Sequence, residues 1–424
     1  MTSIINSSNT NSALIQTVEA SDSMSNPSVY NVKPVNPTYA ATWVKNIPIN
    51  GNAKASSTQN WNLQKYGIIQ QILFSYTKTI TVGTAAGNYK IEPHDIFNVI
   101  DKIELLSSSR VVAILTAADL AAQFSNLQAD EFACVQKTCL TERTNSGTPA
   151  TGTFKETYVV PLHFGFMDDV NLNLNSSFLE TLSVRVSYGP HIQNHTRIPE
   201  TGSDTATVAA SNELTEVHLR VLYKSLPESA TAQMLAQNFS SDSLVQVSTR
   251  FYDENPEFQT GELTGEKSVD VDLKNTDCVE SFYVMARLNG RTTSGNDRNA
   301  GFGPFLPITE VKMTGSGQEI LTLGERELPY TKLKANGWPT SLGMSGNNAY
   351  DAAGLGNIVK VQQGLYGCHK LSNTLSLREV NAPRISVKAD FESATEYRID
   401  VCEHTTAIYQ IASNTGRLAL ALSN

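Results

Sequence analysis

From Thr395 to Val401 the chain reads Thr-Glu-Tyr-Arg-Ile-Asp-Val, which sets Tyr397, Ile399 and Val401 on one side of an extended backbone and Glu396, Arg398 and Asp400 on the other. Strand side chains alternate between faces with a period of two, so the pattern asks for a sheet with one face in a core and one in water. The same alternation recurs at Val217, Leu219 and Val221 against Glu216, His218 and Arg220, at Val269, Val271 and Leu273, and at Ile385, Val387, Ala389 and Phe391. Half-buried antiparallel sheet is the arrangement that accepts it. Helical spacing is confined to two places. Thr116-Ala-Ala-Asp119 has the form of a capping box and leads into Leu120, Phe124 and Leu127. Pro227-Glu228 suits a first helical turn, with Ala230, Met234 and Asn238 on one face.

The chain has 424 residues, of which 40% are hydrophobic and only 17% charged, enough for two domains that each bury a core. Lys and Arg number 32 against 41 Asp and Glu, a net charge of -9 and the wrong sign for a protein that wraps nucleic acid through counterion release. No window approaches the ~20 apolar residues that span a bilayer. The start, Met1-Thr-Ser-Ile-Ile-Asn, lacks the basic and apolar blocks of a secretion signal, so the chain is read as made in a cytoplasm. Five scattered cysteines, Cys134, Cys139, Cys278, Cys368 and Cys402, read as free thiols rather than a disulfide scaffold.

Residues 1–62 are rich in Ser, Asn and Thr with only brief apolar pairs, which describes an extended N-terminal arm that must be held by other parts of the protein or by neighbours. The strand pattern begins near Trp61 and divides the remainder into two all-β halves, 63–226 and 240–424, joined by the helix expected over 227–239. Polar stretches at 141–153, 189–213, 289–306 and 335–357 are too long for simple hairpins and mark elaborated surface loops.

Candidate chemistry is thin. Asp169, Asn171 and Asn173, with Glu180 at the twelfth position, place oxygen ligands where a calcium loop has them, but Leu174 stands where that loop needs glycine. Asn alternating with Val170, Leu172 and Leu174 equally describes an extended segment with one apolar face. His191 and His195 have the spacing of two zinc ligands, yet Ile192 replaces the acid of that motif and Pro190 and Pro199 argue for a loop. Cys134 and Cys139, Cys368-His369 and Cys402-x-His404 make no paired C-x-x-C set. Gly343-Met-Ser345-Gly346 is out of register for a nucleophile elbow, and Gly301-Phe-Gly303 lacks the third glycine of a dinucleotide loop. Asp168 and Asp169, adjacent in an extended segment, point to opposite faces and do not pair as hydrolytic acids. No catalytic residue, cofactor or metal ligand is therefore assigned, and the chain is read as a non-enzyme.

The order of polar arm, strands, helix, long loops, connecting helix and a second similar set resembles the double jelly-roll major capsid proteins of the tectivirus and adenovirus lineage. Its anchors are Tyr66-Gly-Ile-Ile-Gln-Gln-Ile-Leu-Phe74 with Thr79-Ile-Thr-Val82, then Phe97-Asn-Val-Ile-Asp-Lys-Ile-Glu-Leu105 and Tyr158-Val-Val-Pro-Leu-His163. The run from Asn373 through Ile385-Ser-Val-Lys-Ala-Asp-Phe391 to Leu418 completes them. The resemblance implies an all-β fold of two consecutive eight-stranded jelly rolls with short helices and long surface loops. It also implies a homotrimer whose six rolls make a pseudo-hexagonal capsomer of an icosahedral shell, here that of a bacteriophage. Neighbouring capsomers, vertex (penton) proteins and minor capsid proteins would be its partners, and its places the virion capsid and, during assembly, the host cytoplasm.

Low charge suits such a role, because contact surfaces are depleted in Lys, Glu and Asp. Residues 1–44 carry only Lys33 against Glu19 and Asp22, not the basic arm of a genome-binding capsid protein. An internal membrane between shell and genome follows as an expectation, with no direct nucleic-acid contact. Two rivals stay open: a carbohydrate-binding or carbohydrate-active protein of two β-sandwich modules, and a minor virion spike or base protein.

Overall fold

A computed structural model describes residues 15–17, 32–34, 40–82, 89–91, 96–127, 129–140, 143–145, 152–167, 174–190, 192, 197–199, 208–210, 213–225, 243–252, 257–259, 265–274, 278–288, 305–328, 355–362, 375–391, 397–412 and 417–421. Its strands build two sandwiches. The first uses β1 (Ala40–Asn46), β2 (Thr58–Asn62), β3 (Ile68–Val82), β4 (Ile100–Ser107), β5 (Arg110–Thr116), β6 (Gly152–Leu162), β7 (Leu182–Tyr188) and β8 (Thr215–Ser225). The second uses β9 (Ser243–Tyr252), β10 (Gly265–Asp272), β11 (Cys278–Leu288), β12 (Ile308–Gly315), β13 (Gln318–Gly324), β14 (Val359–Gln362), β15 (Arg384–Phe391) and β16 (Tyr397–Ala412).

The two sheets of the first set run β1-β8-β3-β6 and β2-β7-β4-β5, and those of the second run β9-β16-β11-β14 and β10-β15-β12-β13. Adding eight to every label of the first set gives the second. All neighbours are antiparallel, and this strand order is that of two successive jelly rolls. Short strands extend the sheets, among them Asn50–Gly51 on the edge strand β2 and Val208–Ala210 on the far end of β3.

Each roll closes over the alternating residues. In the first, Phe74 and Tyr76 of β3 lie opposite Val160 and Tyr158 of β6. Trp61 of β2 meets Phe74 from the facing sheet, edge-on at 6.0 Å. In the second, Val269 and Val271, Val387 and Phe391, and Tyr397, Ile399 and Val401 are all buried in one cluster. A single helical turn, α1 (Ile96–Val99), leads into β4. Thr116 caps α2 (Ala117–Ser125) with both halves of the capping box, Asp119 N–H donating to Thr116 Oγ1 at 3.1 Å and Thr116 N–H to Asp119 Oδ2 at 2.8 Å. A further helix, Ala129–Thr138, follows it.

The sheets begin earlier than composition suggests. β1 and β2 lie inside the span 1–62 read as an arm, and Trp61 is wholly buried. β2 buries only Gln59 and Trp61, so it looks polar in sequence; what fixes it is pairing, Trp61 opposite Val184 of β7. Upstream, Ile15–Thr17 pairs with Val32–Pro34. The helix expected over 227–239 lies outside the described residues.

Strand direction sorts the connections. Those after β3, β5, β7, β11 and β13 leave the same end of their roll, and they include all four polar stretches of the sequence. At the opposite end β4 turns into β5 through Ser108 (φ +58°), and β12 into β13 through Ser316 and Gly317 (φ +52° and +75°). At the elaborated end of the first roll, Tyr89–Ile91 pairs on one side with Arg143–Asn145 and on the other with Arg197–Pro199, tying three connections into one small sheet.

Candidate assembly surfaces

Of the residues raised as ligands or nucleophiles, the structure brings no set together: the described residues hold no group of three or more His, Cys, Asp or Glu placed for a metal ion. Asp168, Asp169, Asn171, Asn173, His191, His195, Cys368 and His369 lie outside the described residues, as do Gly301, Gly303 and Gly343 to Gly346. Glu180 is engaged: its Oε2 accepts from Ser108 Oγ at 2.6 Å and from Arg417 Nε at 2.8 Å. Those two bonds hold its carboxyl below the usual range. Leu174 is buried, and Asn175 Oδ1 accepts from Ser177 N–H at 3.0 Å, capping a single 3₁₀ turn. Ile192 is buried too. Cys134 is an exposed free thiol on the helix Ala129–Thr138, and Cys139 is buried at its end. Burial pushes the Cys139 thiol up to about 12, so it is inert at neutral pH. His404 lies on β16 with Nδ1 3.8 Å from Glu280.

What the structure does assemble is a joint between the rolls. Tyr283 and Met285 of β11 and Cys402 of β16 pack into the first roll's core cluster, not their own, together with Tyr409 and Ile411. Tyr409 stands edge-on to Phe166 at 5.7 Å and its hydroxyl donates to the Val112 carbonyl of β5 at 3.3 Å. Helix α2 meets β16 and the 3₁₀ turn Leu355–Asn357, so the first roll's β5 and α2 cover the outward face of β9-β16-β11-β14.

This joint corrects the reading of β16 as half-solvated. Asp400, placed in water by the alternation, is fully buried beside Arg287. Arg287 Nε donates to its Oδ2 at 2.8 Å, and Arg398 Nε to its Oδ1. Burial alone would push the Asp400 carboxyl up; the two guanidiniums outweigh it and hold the group below the usual carboxylate range. Asp119 on α2 is buried next to this cluster, where burial first and then the Asp400 charge push it up to about 6 against the hydrogen bonds from Thr116 and Cys402. In the first roll's other sheet Glu104 is buried between Arg185 and Lys102, and these partners pull its carboxyl down despite desolvation.

Six large apolar side chains stand open among the described residues, Trp43, Ile47, Ile49, Tyr66, Val111 and Ile320. Trp43 on β1 is 48% exposed and Ile320 on β13 is 41% exposed. Ile320 carried a signal: beside Leu321 and one step out of phase with Leu323, it must face away from the side that packs. Trp43, a lone aromatic in a polar run, offered none.

No protein-family model matches the chain, and no curated protein does. Solved structures do. The chain superposes on PBCV-1 VP54, as fitted into a reconstruction of the virophage Sputnik, with a TM-score of 0.61 at 12% identity over 91% of this chain and 97% of that one. For the Faustovirus major capsid protein the TM-score is 0.62 at 10% identity, covering 87% and 90%. For the mavirus major capsid protein it is 0.56 at 12% identity, covering 97% and 96%. The coverage in both directions spans both rolls, and the chain has the double jelly-roll fold of these proteins.

Proposed function

We propose that this chain is a major capsid protein, the shell subunit of an icosahedral virus, assembling as homotrimers whose six rolls form a pseudo-hexagonal capsomer. The observation that carries the reading is the repeat itself: two rolls of identical strand order in one chain, fixed to each other by a buried joint. A single roll needs neither a second copy of itself nor a rigid angle to it, whereas a shell tile needs both. Elaborated connections at one end of each roll suit a subunit with distinct inner and outer ends. Neighbouring capsomers, vertex and minor capsid proteins are its proposed partners, the virion capsid its place, and no enzymatic step is assigned to it.

The test is the native mass of purified protein at micromolar concentration. A species near 138 kDa, about three times 46.1 kDa, with pseudo-hexagonal particles in electron micrographs, is the expected result. A 46.1 kDa monomer at every concentration overturns it. The sugar-binding alternative loses one aromatic platform, since Trp61 is sealed in the core.

The acidic charge adds an internal membrane to the proposal. With a net charge of -9 and only Lys33 against Glu19 and Asp22 within residues 1–44, this chain offers little positive charge to phosphate, and a lipid layer between shell and genome fits that balance. Purified particles are expected to contain phospholipid at a fixed ratio to this chain; lipid-free particles that package genome overturn the membrane.

A further inference from the structure

We propose that a short strand following β16 is a releasable strap: it locks one end of the joint between the rolls, while the other end, under α2, stays shut whether the strap is closed or open. The device acts within one chain and does not depend on the capsomer reading.

The second roll repeats the strand order of the first, but one strand outgrows its counterpart. β8 has 11 residues and pairs with β3 almost to its last, Lys224 lying opposite Ile68. Its equivalent β16 has 16 residues, and β11 pairs with it only over residues 397–406. Past that point a further strand, β17 (Leu418–Ala421), takes the place that β11 leaves, with Ile408 opposite Ala421 and Ile411 opposite Leu418. Backbone N–H and C=O groups need partners, and β17 supplies them along the side of β16 that faces away from β9.

This added stretch is the part of the second roll that reaches β5. Tyr409 and Ile411 join the first roll's core cluster, and the Tyr409 hydroxyl donates to the Val112 carbonyl. β5 lies against both β9 and β17, the two strands that flank residues 408–411 of β16. Beside β17, Arg417 Nε donates to Glu180 Oε2, which also accepts from Ser108 Oγ. Ser108 sits in the turn from β4 into β5 and Glu180 just ahead of β7, so β17 is fastened to two connections of the first roll.

The two ends of the joint are held unequally. Near α2 the Arg287–Asp400 pair is closed to water, and Tyr283, Met285 and Cys402 are buried in the first roll's cluster. At the β17 end the fastening is an ion pair in water, with Arg417 59% and Glu180 37% exposed, and a ladder of four residue pairs. Such a pair contributes little and is screened by salt. Elements held this way open locally while the rest of the fold stays closed. Closure of β17 therefore completes the fixed angle between the rolls, and its release leaves two folded rolls joined through α2.

Hydrogen exchange of the full chain, read by mass spectrometry, tests the strap. Successive N–H groups of an antiparallel strand alternate between its two sides, so Ala419→Pro with Leu420→Pro removes one that faces β16. Amides of residues 408–411 and of residues 110–113 on β5 are then expected to exchange roughly tenfold faster or more, while those of 284–287 and 398–402 keep their rates. Arg417→Glu leaves the ladder intact and is expected to speed the same two stretches by about threefold, and adding Glu180→Arg should undo the rise. Faster exchange confined to 408–411, with β5 unmoved, overturns the strap, because β17 then holds only its own sheet. A rise that spreads to 284–287 and to both cores overturns it too, since β17 is then part of one cooperative unit. If the proline variant does not fold, Arg417→Glu decides, and unchanged rates in both stretches overturn the fastening. A native mass of 46.1 kDa at every concentration would overturn the capsomer reading and leave the strap standing.

Discussion

Replacing Arg287 with methionine is expected to destabilise the folded chain by about 3–5 kcal/mol, the usual cost of stripping one partner from a buried ion pair. Asp400 has no exposed surface and Arg287 only 1%. Without Arg287 the carboxylate keeps Arg398, whose side chain is 21% exposed and partly in water. The residual pair cannot replace the lost 2.8 Å bond to Oδ2. The measurement is the urea midpoint, which should fall with the slope unchanged. A second variant isolates the cause. Arg287→Met combined with Asp400→Leu removes the fully buried pair and leaves Arg398, already 21% exposed, to turn its guanidinium to water, so it should regain most of the loss. If the double change is as damaging as the single, packing around Arg287 and not the orphaned charge is responsible.

The same cluster shows where sequence reading stops. The alternation of Tyr397, Ile399 and Val401 identified the strand and its core face, and those three side chains are buried as expected. It assigned Asp400 to water because Glu396, Arg398 and Asp400 share the opposite face, and three charged side chains in a row there describe a solvated surface. The face is covered instead by α2, a helix 275 or more residues earlier in the chain, and Arg287 lies 113 residues away. Nothing local to β16 encodes either neighbour. Thr116 and Asp119 illustrate the opposite case: a capping box spans four residues, so the start of α2 was readable to the residue. Trp61 sits between the two. Its strand is fixed by pairing to β7 over a separation of more than 100 residues, and a polar composition hides it.

Long-range pairing also explains why no motif search found a site. The joint is made of ordinary core types, Tyr283, Met285, Tyr409 and Ile411, that differ from their neighbours only in which roll they enter. A periodicity argument sees that a residue is apolar and which face it takes, but not what lies across from that face. The repeat of strand order between the rolls is likewise invisible by residue identity and plain once the pairing is known.

Asp119 gives the joint a dependence on pH. The carboxyl is buried on α2 and faces Thr116, Cys402 and Asp400, with Arg287 and Arg398 behind Asp400. In the unfolded chain such a group titrates near 3.8, and in the folded chain it is pushed up to about 6. The folded state thus holds this proton more tightly. Its contribution to stability is complete below pH 3.8 and is lost as pH rises through about 6. A difference of about two units corresponds to about 3 kcal/mol. Asp119→Asn keeps an oxygen to accept from Thr116 and cannot ionise. It is expected to match the unaltered chain near pH 4 and to exceed it by up to about 3 kcal/mol at pH 7, minus any weakening of the cap. The check is the difference between the two proteins' urea midpoints from pH 4 to 7.5, since carboxylates away from Asp119 cancel and Asp400, held below the usual carboxylate range, stays ionised throughout. A gap that opens between pH 4 and 6 and is flat above confirms that the ionised Asp119 strains the joint against Asp400. A gap that is constant across the range means that Asp119 stays charged throughout, held so by the guanidiniums of Arg287 and Arg398, and that the two rolls are locked equally at every pH.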